Sequence, residues 1–169
     1  PSDKSISIRA LIISTLCLGN SKIFNLLESE DVKNTMKSLK KLGVKILKKK
    51  KFYEIYGNGG VFEKPSENLY LGNSGTGVRL LTGLLASSGI KAVLTGDKSL
   101  SSRPMKRIIQ PLELMNLSVE SQKGGLPLKI KKDRKKIPIP INYVLDIGSA
   151  QIKSAILLAS FNIKGTTTI

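Results

Sequence analysis

The apolar positions of this chain switch between two periods, and the switches mark out an α/β protein. From about Ser5 to Leu18 apolar residues fall on nearly every face, the pattern of a fully buried helix, with Gly19-Asn20 as its C-cap. Ile23 to Leu26 reads as a short strand. Ser29 is a candidate N-cap for a second helix, in which Val32, Met36, Leu39 and Leu42 share one face and which Gly43 ends. Val44 to Leu47 and Phe52 to Tyr56 then form a hairpin across a lysine turn, followed by a glycine-rich loop at 57–60 and a strand at Leu69 to Leu71.

The same order follows again. A helix over Thr76 to Ala86 gives way at Gly89 to a strand at Lys91 to Thr95 and a polar loop from Gly96 to Ser102. Pro104 suits the first position of a helix running to Met115, which sets Arg103 at that helix's N-terminal lip. Leu117 to Glu120 and Leu128 to Lys131 pair around Gly124-Gly125, and Pro138 and Pro140 lead to a strand at Tyr143 to Asp146 and a third helix start. This βαβαββ order, given twice, predicts α/β with parallel and antiparallel pairing.

The helix starts themselves repeat. Leu71-Gly-Asn-Ser-Gly-Thr-Gly-Val-Arg79 runs into an apolar helix, as do Ser5-Ile-Ser-Ile-Arg9 and Ser149-Ala-Gln-Ile-Lys153. The cations are 70 and 74 residues apart, and Lys37 to Ile46 lies over Gln110 to Val119 at a constant offset of 73. A repeat of this length is a small domain's worth of supersecondary structure. Packed about a common axis, such units bring three cation-bearing helix starts to one site, where free N–H groups attract anions and glycines at 72, 75 and 77 permit φ > 0 and close approach. The units run over about 1–70 and 71–144, with a third beginning at about 145, and the chain reads as a fragment of something longer.

Composition narrows the function. The 169 residues, 40% of them hydrophobic, suffice for one core. One cysteine and no histidine leave no disulfide and no zinc-ligand set, so no metal is expected. Ser14 and Thr15 interrupt the apolar run from Ala10 to Leu18, which argues against a signal peptide, and no run approaches a membrane span. A net charge of +16 invites anionic partners. The lysine runs at 48–51 and 129–136 nevertheless fall between strands, as solvated turns do, and four Tyr, four Phe and no Trp offer little platform for nucleic acid.

Four ordered motifs carry the chemistry: Pro1-Ser-Asp-Lys-Ser-Ile-Ser-Ile-Arg9, Leu71-Gly-Asn-Ser-Gly-Thr76, Leu94-Thr-Gly-Asp-Lys-Ser-Leu-Ser-Ser-Arg-Pro104 and Gly148-Ser-Ala-Gln-Ile-Lys153. Together they resemble the EPSP synthase (3-phosphoshikimate 1-carboxyvinyltransferase) family. The resemblance implies an enolpyruvyl-transferase fold, an inside-out α/β barrel of βαβαββ units in two domains, of which 1–169 is most of one. It also implies transfer of the enolpyruvyl group of phosphoenolpyruvate to the 5-hydroxyl of shikimate 3-phosphate, in aromatic amino acid biosynthesis. It calls for no cofactor, and implies a cytoplasmic protein, monomeric when complete, without nucleic-acid or membrane partners.

By the same resemblance Lys4 lies between the two substrates, Ser5 and Arg9 hold shikimate 3-phosphate, and Ser149 with the Ala150 backbone cradles its phosphate. Asn73, Gly75 and Arg103 take phosphoenolpyruvate, and Gln151 touches both. An arginine suits a planar carboxylate as a bidentate donor. Glyphosate, the family's inhibitor, is expected in the phosphoenolpyruvate position, pressed on the backbone at Gly75. Ala150 replaces a second serine, and Ile8 stands where histidine or asparagine is usual; Ala-Gln-x-Lys at 150–153 with Gly-Asp-Lys at 96–98 is closer to the family's second class. Asp31, Asp97 and Asp146 read as cap or loop residues, so no proton-transfer group is expected in this chain.

Other readings compete. UDP-N-acetylglucosamine enolpyruvyl transferase wants a reactive cysteine near Arg103, whereas Cys17 falls in the first helix as a buried, inert thiol. A P-loop lacks its Gly-Lys-Ser/Thr. A basic anion- or RNA-binding module predicts salt-steep RNA binding without response to shikimate 3-phosphate.

Overall fold

The computed structural model describes residues 2–133 and 135–169. The chain runs through α1 (Lys4–Leu16), β1 (Leu18–Phe24), α2 (Glu30–Lys41), β2 (Lys45–Lys48) and β3 (Phe52–Asn58). It continues with β4 (Leu69–Tyr70), α3 (Gly75–Ser87), β5 (Ala92–Thr95), α4 (Lys98–Ser101), α5 (Lys106–Leu114), β6 (Ser118–Gln122), β7 (Gly125–Lys131) and α6 (Ala150–Ser160).

Two sheets result. In the first, β3 lies between β1 and β2, antiparallel to both. In the second, of order β4-β5-β7-β6, β4 and β5 are parallel and the remaining pairs antiparallel. The β2–β3 and β6–β7 hairpins start 73 residues apart, the offset seen in the sequence. Beyond α6, Asn142 bridges Thr168 in parallel, as Leu69 and Leu94 do around α3.

α3 is buried on almost every face, through Val78, Leu80, Leu81, Leu84 and Leu85. It packs along α6, where Gly83 allows contact that no side chain would. A Cβ at Gly83 would lie 2.1 Å from the Ala155 carbonyl oxygen. The amphipathic α2 turns Val32 and Leu39 inward, and Leu42 caps its end. Among the described residues no helix is long and apolar enough to cross a membrane.

Several sequence expectations are corrected. α1 is not buried all round, since Ile6 and Ile13 are exposed, and it ends at Leu16. Gly19 and Asn20 belong to β1, which pairs with β3 from Leu18 onward, so the sheet begins where a helix cap was expected. Cys17 is exposed rather than buried, because it is the C-cap residue and its side chain leaves the helix core. The polar loop at 96–102 contains the short α4, capped by Asp97, whose Oδ1 accepts from Leu100 N at 2.7 Å. α5 starts at Lys106, after the N-cap Met105, so Pro104 and Arg103 precede the helix instead of opening it. Tyr143 to Asp146 form no strand; only the bridge at Asn142 is made, with Tyr143 N donating to Thr168 O at 2.9 Å. Ser29 is the N-cap of α2, but its hydroxyl makes no capping bond.

Candidate functional site

Three helices begin at one cavity. α1 is capped by Asp3, whose Oδ1 accepts from Ile6 N at 2.7 Å; α3 by Ser74, whose Oγ accepts from Gly77 N at 3.0 Å; α6 by Ser149, whose Oγ accepts from Ile152 N at 3.4 Å. Each cap satisfies one donor of its first turn and leaves others free. The cavity, of about 570 Å³, is lined by Lys4 and Ser5 from α1, Gly75 and Thr76 from α3, and Gln151 from α6. Asn73, just before α3, Arg103, between α4 and α5, and Asp31, in the first turn of α2, complete the wall.

The wall is cationic and cross-braced. Lys4 Nζ pairs with Asp31 at 2.9 Å. The Arg103 guanidinium donates to Asn73 Oδ1. Arg79, one turn into α3, donates from Nη1 to Gln151 Oε1 at 2.8 Å and to the Gly75 carbonyl at 3.4 Å, while Gln151 Nε2 donates to Thr76 Oγ1 at 3.1 Å. Burial, and then the charge of Arg103, hold the Arg79 guanidinium below its ordinary range. Among the described residues neither arginine has a carboxylate partner. The site therefore concentrates positive charge that an anion would neutralise.

Gly75 sits between the two guanidiniums. A Cβ there would lie 2.8 Å from Arg103 Nη1 and 3.0 Å from Arg79 Nη1. Of the glycines at 72, 75 and 77, only Gly72 has positive φ, at 58°. Gly75 and Gly77 are helical, and each is needed for space: a Cβ on Gly77 would meet the Ser74 and Thr35 hydroxyls at 2.6 Å.

Six of the nine residues singled out in the sequence, Lys4, Ser5, Asn73, Gly75, Arg103 and Gln151, line this cavity. Arg9, Ser149 and Ala150 do not. Arg9 lies one turn deeper in α1, where its Nη1 donates to the Ser5 carbonyl at 3.3 Å, and it borders an apolar groove with Ile13, Leu157 and Phe161. The Ser149 hydroxyl is engaged as the α6 cap, and Ala150 is the exposed first residue of that helix. Ile8 is wholly buried in the core, so that corner holds packing and no hydrogen bond.

The site roles assigned from the sequence leave out Asp31, Thr76 and Arg79. Arg79 carried a signal, its register with Arg9 and Lys153. Asp31 carried none, because its pairing with Lys4 joins two helices. Cys17 lies at the other end of α1 from Lys4, about 20 Å along the axis at 1.5 Å per residue, so it is no part of this cavity. Among the described residues no group of three or more histidine, cysteine or acidic side chains could hold a metal ion.

Comparison with known proteins gives one answer. The model of the family described as EPSP synthase (3-phosphoshikimate 1-carboxyvinyltransferase) matches residues 1–169. The 3-phosphoshikimate 1-carboxyvinyltransferase of Rhodopseudomonas palustris (strain BisA53) is 47% identical over 171 residues, covering 100% of this chain and 38% of that protein. Its counterpart in Bradyrhizobium diazoefficiens is 48% identical over 173 residues, covering 100% of this chain and 36% of its own length. The structure of EPSP synthase from Acinetobacter baumannii superposes with a TM-score of 0.93 at 38% identity, over 99% of this chain and 38% of that one. The chain thus spans 36–38% of the length of these relatives.

Proposed function

Because the chain belongs to the EPSP synthase family, we propose that it forms the part of a 3-phosphoshikimate 1-carboxyvinyltransferase that grips both substrates. The observation that carries this reading is the cavity at which three helix N-termini, Lys4, Arg103 and Gln151 meet. Phosphoenolpyruvate, a compact polyanion, is held by Arg103, Asn73 and the backbone at Gly75, where the Arg103 guanidinium, without a carboxylate partner among the described residues, is available to phosphate oxygens. Shikimate 3-phosphate lies toward the starts of α1 and α6, held by Ser5, Arg9, Ser149 and the Ala150 backbone, with Lys4 and Gln151 between the ligands. What supports including Arg9 is its bond to the carbonyl of Ser5, a residue of the cavity wall.

The reaction is protonation of the phosphoenolpyruvate methylene to a methyl group, attack on C2 by the sugar 5-hydroxyl, which gives up its proton, and loss of phosphate from the tetrahedral adduct as the methyl gives up a proton to restore the double bond. Charge accumulates on the phosphate as it leaves, and Lys4 and Arg103 are placed to stabilise it. The proton transfers need an acid and a base. Among the described residues the only carboxylate on the cavity wall is Asp31, which is occupied by Lys4. We assign those steps to residues outside this segment, in an enzyme that is cytoplasmic and monomeric when complete. The complete protein carrying this segment should release phosphate when given both substrates, and residues 1–169 alone should not. Turnover by the segment alone would put the proton-transfer groups in the wrong half; no turnover by either would overturn the assignment.

A further inference from the structure

Arg79 takes part in none of the substrate contacts assigned above, yet it is bonded to both Gln151 and the Gly75 carbonyl of the cavity wall. It is half-buried on α3 and, among the described residues, without a carboxylate partner. An unpaired cation in such a place is costly. The second guanidinium, Arg103, flanks the same Gly75 and adds like-charge repulsion.

Its hydrogen bonds indicate what offsets that cost. A guanidinium offers donors only, so the 2.8 Å bond from Arg79 Nη1 determines which end of the Gln151 amide is which. Oε1 must face Arg79, and Nε2 must face Thr76 and the cavity. The Thr76 hydroxyl cannot impose this, because it both donates and accepts and would satisfy either orientation. One Nε2 proton goes to Thr76 Oγ1, and among the described residues nothing accepts the other. With the amide reversed, Gln151 would present a carbonyl oxygen to incoming anions.

We propose that Arg79 is a positioning residue that locks Gln151 as a hydrogen-bond donor toward the anionic substrates. This deepens the reading above and rests on its assignment of Gln151 to both ligands.

The test is a double-mutant cycle in the complete protein, with the dissociation constants of phosphoenolpyruvate and shikimate 3-phosphate each measured by calorimetric titration. Arg79→Met should weaken phosphoenolpyruvate about tenfold in the parent, the scale of one hydrogen bond lost to an ion, and less than about twofold in a Gln151→Ala background. Arg79→Lys keeps a donor-only cation and should stay within about threefold of the parent. Equal losses from Arg79→Met in both backgrounds would show that Arg79 acts without Gln151 and overturn the proposal. Should Arg79→Met fail to fold, Gln151→Glu decides. Its carboxylate can still accept from Arg79 but has no proton to offer, so it should weaken both substrates by at least about tenfold, and parent-like binding would remove the donor role. A parent that binds neither substrate overturns the reading of the cavity and this proposal with it, whereas a parent that binds both but shows additive losses overturns the role of Arg79 alone.

Discussion

Lys4 and Asp31 are joined across two helices, the ammonium at the start of α1 standing 2.9 Å from the carboxylate in the first turn of α2. Lys4 is half exposed, so the pair adds at most about 1 kcal/mol to stability. Its larger effect is to hold a flexible lysine over the cavity. Asp31→Asn should therefore lower Tm by no more than about 4 °C. Lys4→Ala should weaken both substrates by on the order of tenfold, since each loses a charge-assisted contact. Titration of each ligand checks this, and a variant that spares one of them would move Lys4 out of the place between the two.

Arg103→Ala should weaken phosphoenolpyruvate by at least about tenfold while changing shikimate 3-phosphate little, a charge-assisted contact being worth about 1.5–3 kcal/mol. Arg9→Ala should do the reverse, because Arg9 is assigned to shikimate 3-phosphate beside Ser5, whose carbonyl it binds. Separate titrations of the two ligands into both variants decide the matter, with equal losses counting against the division of the cavity.

A methyl group at Gly75 would press on Arg103 and Arg79 as well as on any ligand. The neighbours are the ends of flexible side chains, so the fold should survive while the donor site is distorted. Gly75→Ala in the complete enzyme should raise the glyphosate inhibition constant by at least about tenfold and weaken phosphoenolpyruvate by a smaller but measurable factor, overpacking costing about 1–3 kcal/mol. Inhibition and substrate kinetics on parent and variant under one set of conditions provide the comparison. Unchanged phosphoenolpyruvate affinity would mean that the guanidiniums do not feel the methyl.

Away from the site, Glu28 accepts from Lys48 and from the Tyr53 hydroxyl, and these bonds hold its carboxyl below the ordinary value of 4.5. A depressed carboxyl contributes stability above its unfolded value, and that contribution disappears as pH falls through the folded one. Urea midpoints measured from pH 6 downward should therefore decline below about 4.5 in the parent, and Glu28→Gln should flatten part of that decline. An identical pH profile in the variant would show that the Glu28 contacts are absent in solution.

Gly83→Ala should destabilise the protein by about 3 kcal/mol, the upper end of overpacking effects, because the atom it meets is the Ala155 backbone and not a movable side chain. Urea unfolding measures this. A loss under about 1 kcal/mol would mean that α3 and α6 can slide apart.

Periodicity and turn residues made most elements readable in the sequence, including the second hairpin and the Ser149 start of α6. What escaped depends on contacts between distant residues. The sequence pattern after Pro138 and Pro140 predicts a strand at Tyr143 to Asp146, but a strand requires a partner, and among the described residues only Thr168 is at hand, beside Asn142. Cys17 sits within an apolar run, and its exposure follows from β1 beginning one residue later. The motifs located the cavity residues that lie along single segments. Asp31 and Thr76 were not readable in this way, because each acts through a partner from another helix.

The contact of Gly83 with Ala155 has a consequence for how this protein tolerates change. Where α3 meets α6 at Gly83 and Ala155, main chain rests on main chain, so the spacing of the two helices there is set by backbone. Residues at the mouth can then be exchanged without moving the frame that presents them, as at Ala150, the exposed first residue of α6. A population of such sequences could drift in ligand affinity and inhibitor tolerance while the anchorage stays fixed. The glycine at 83 would be the position least free to join that drift.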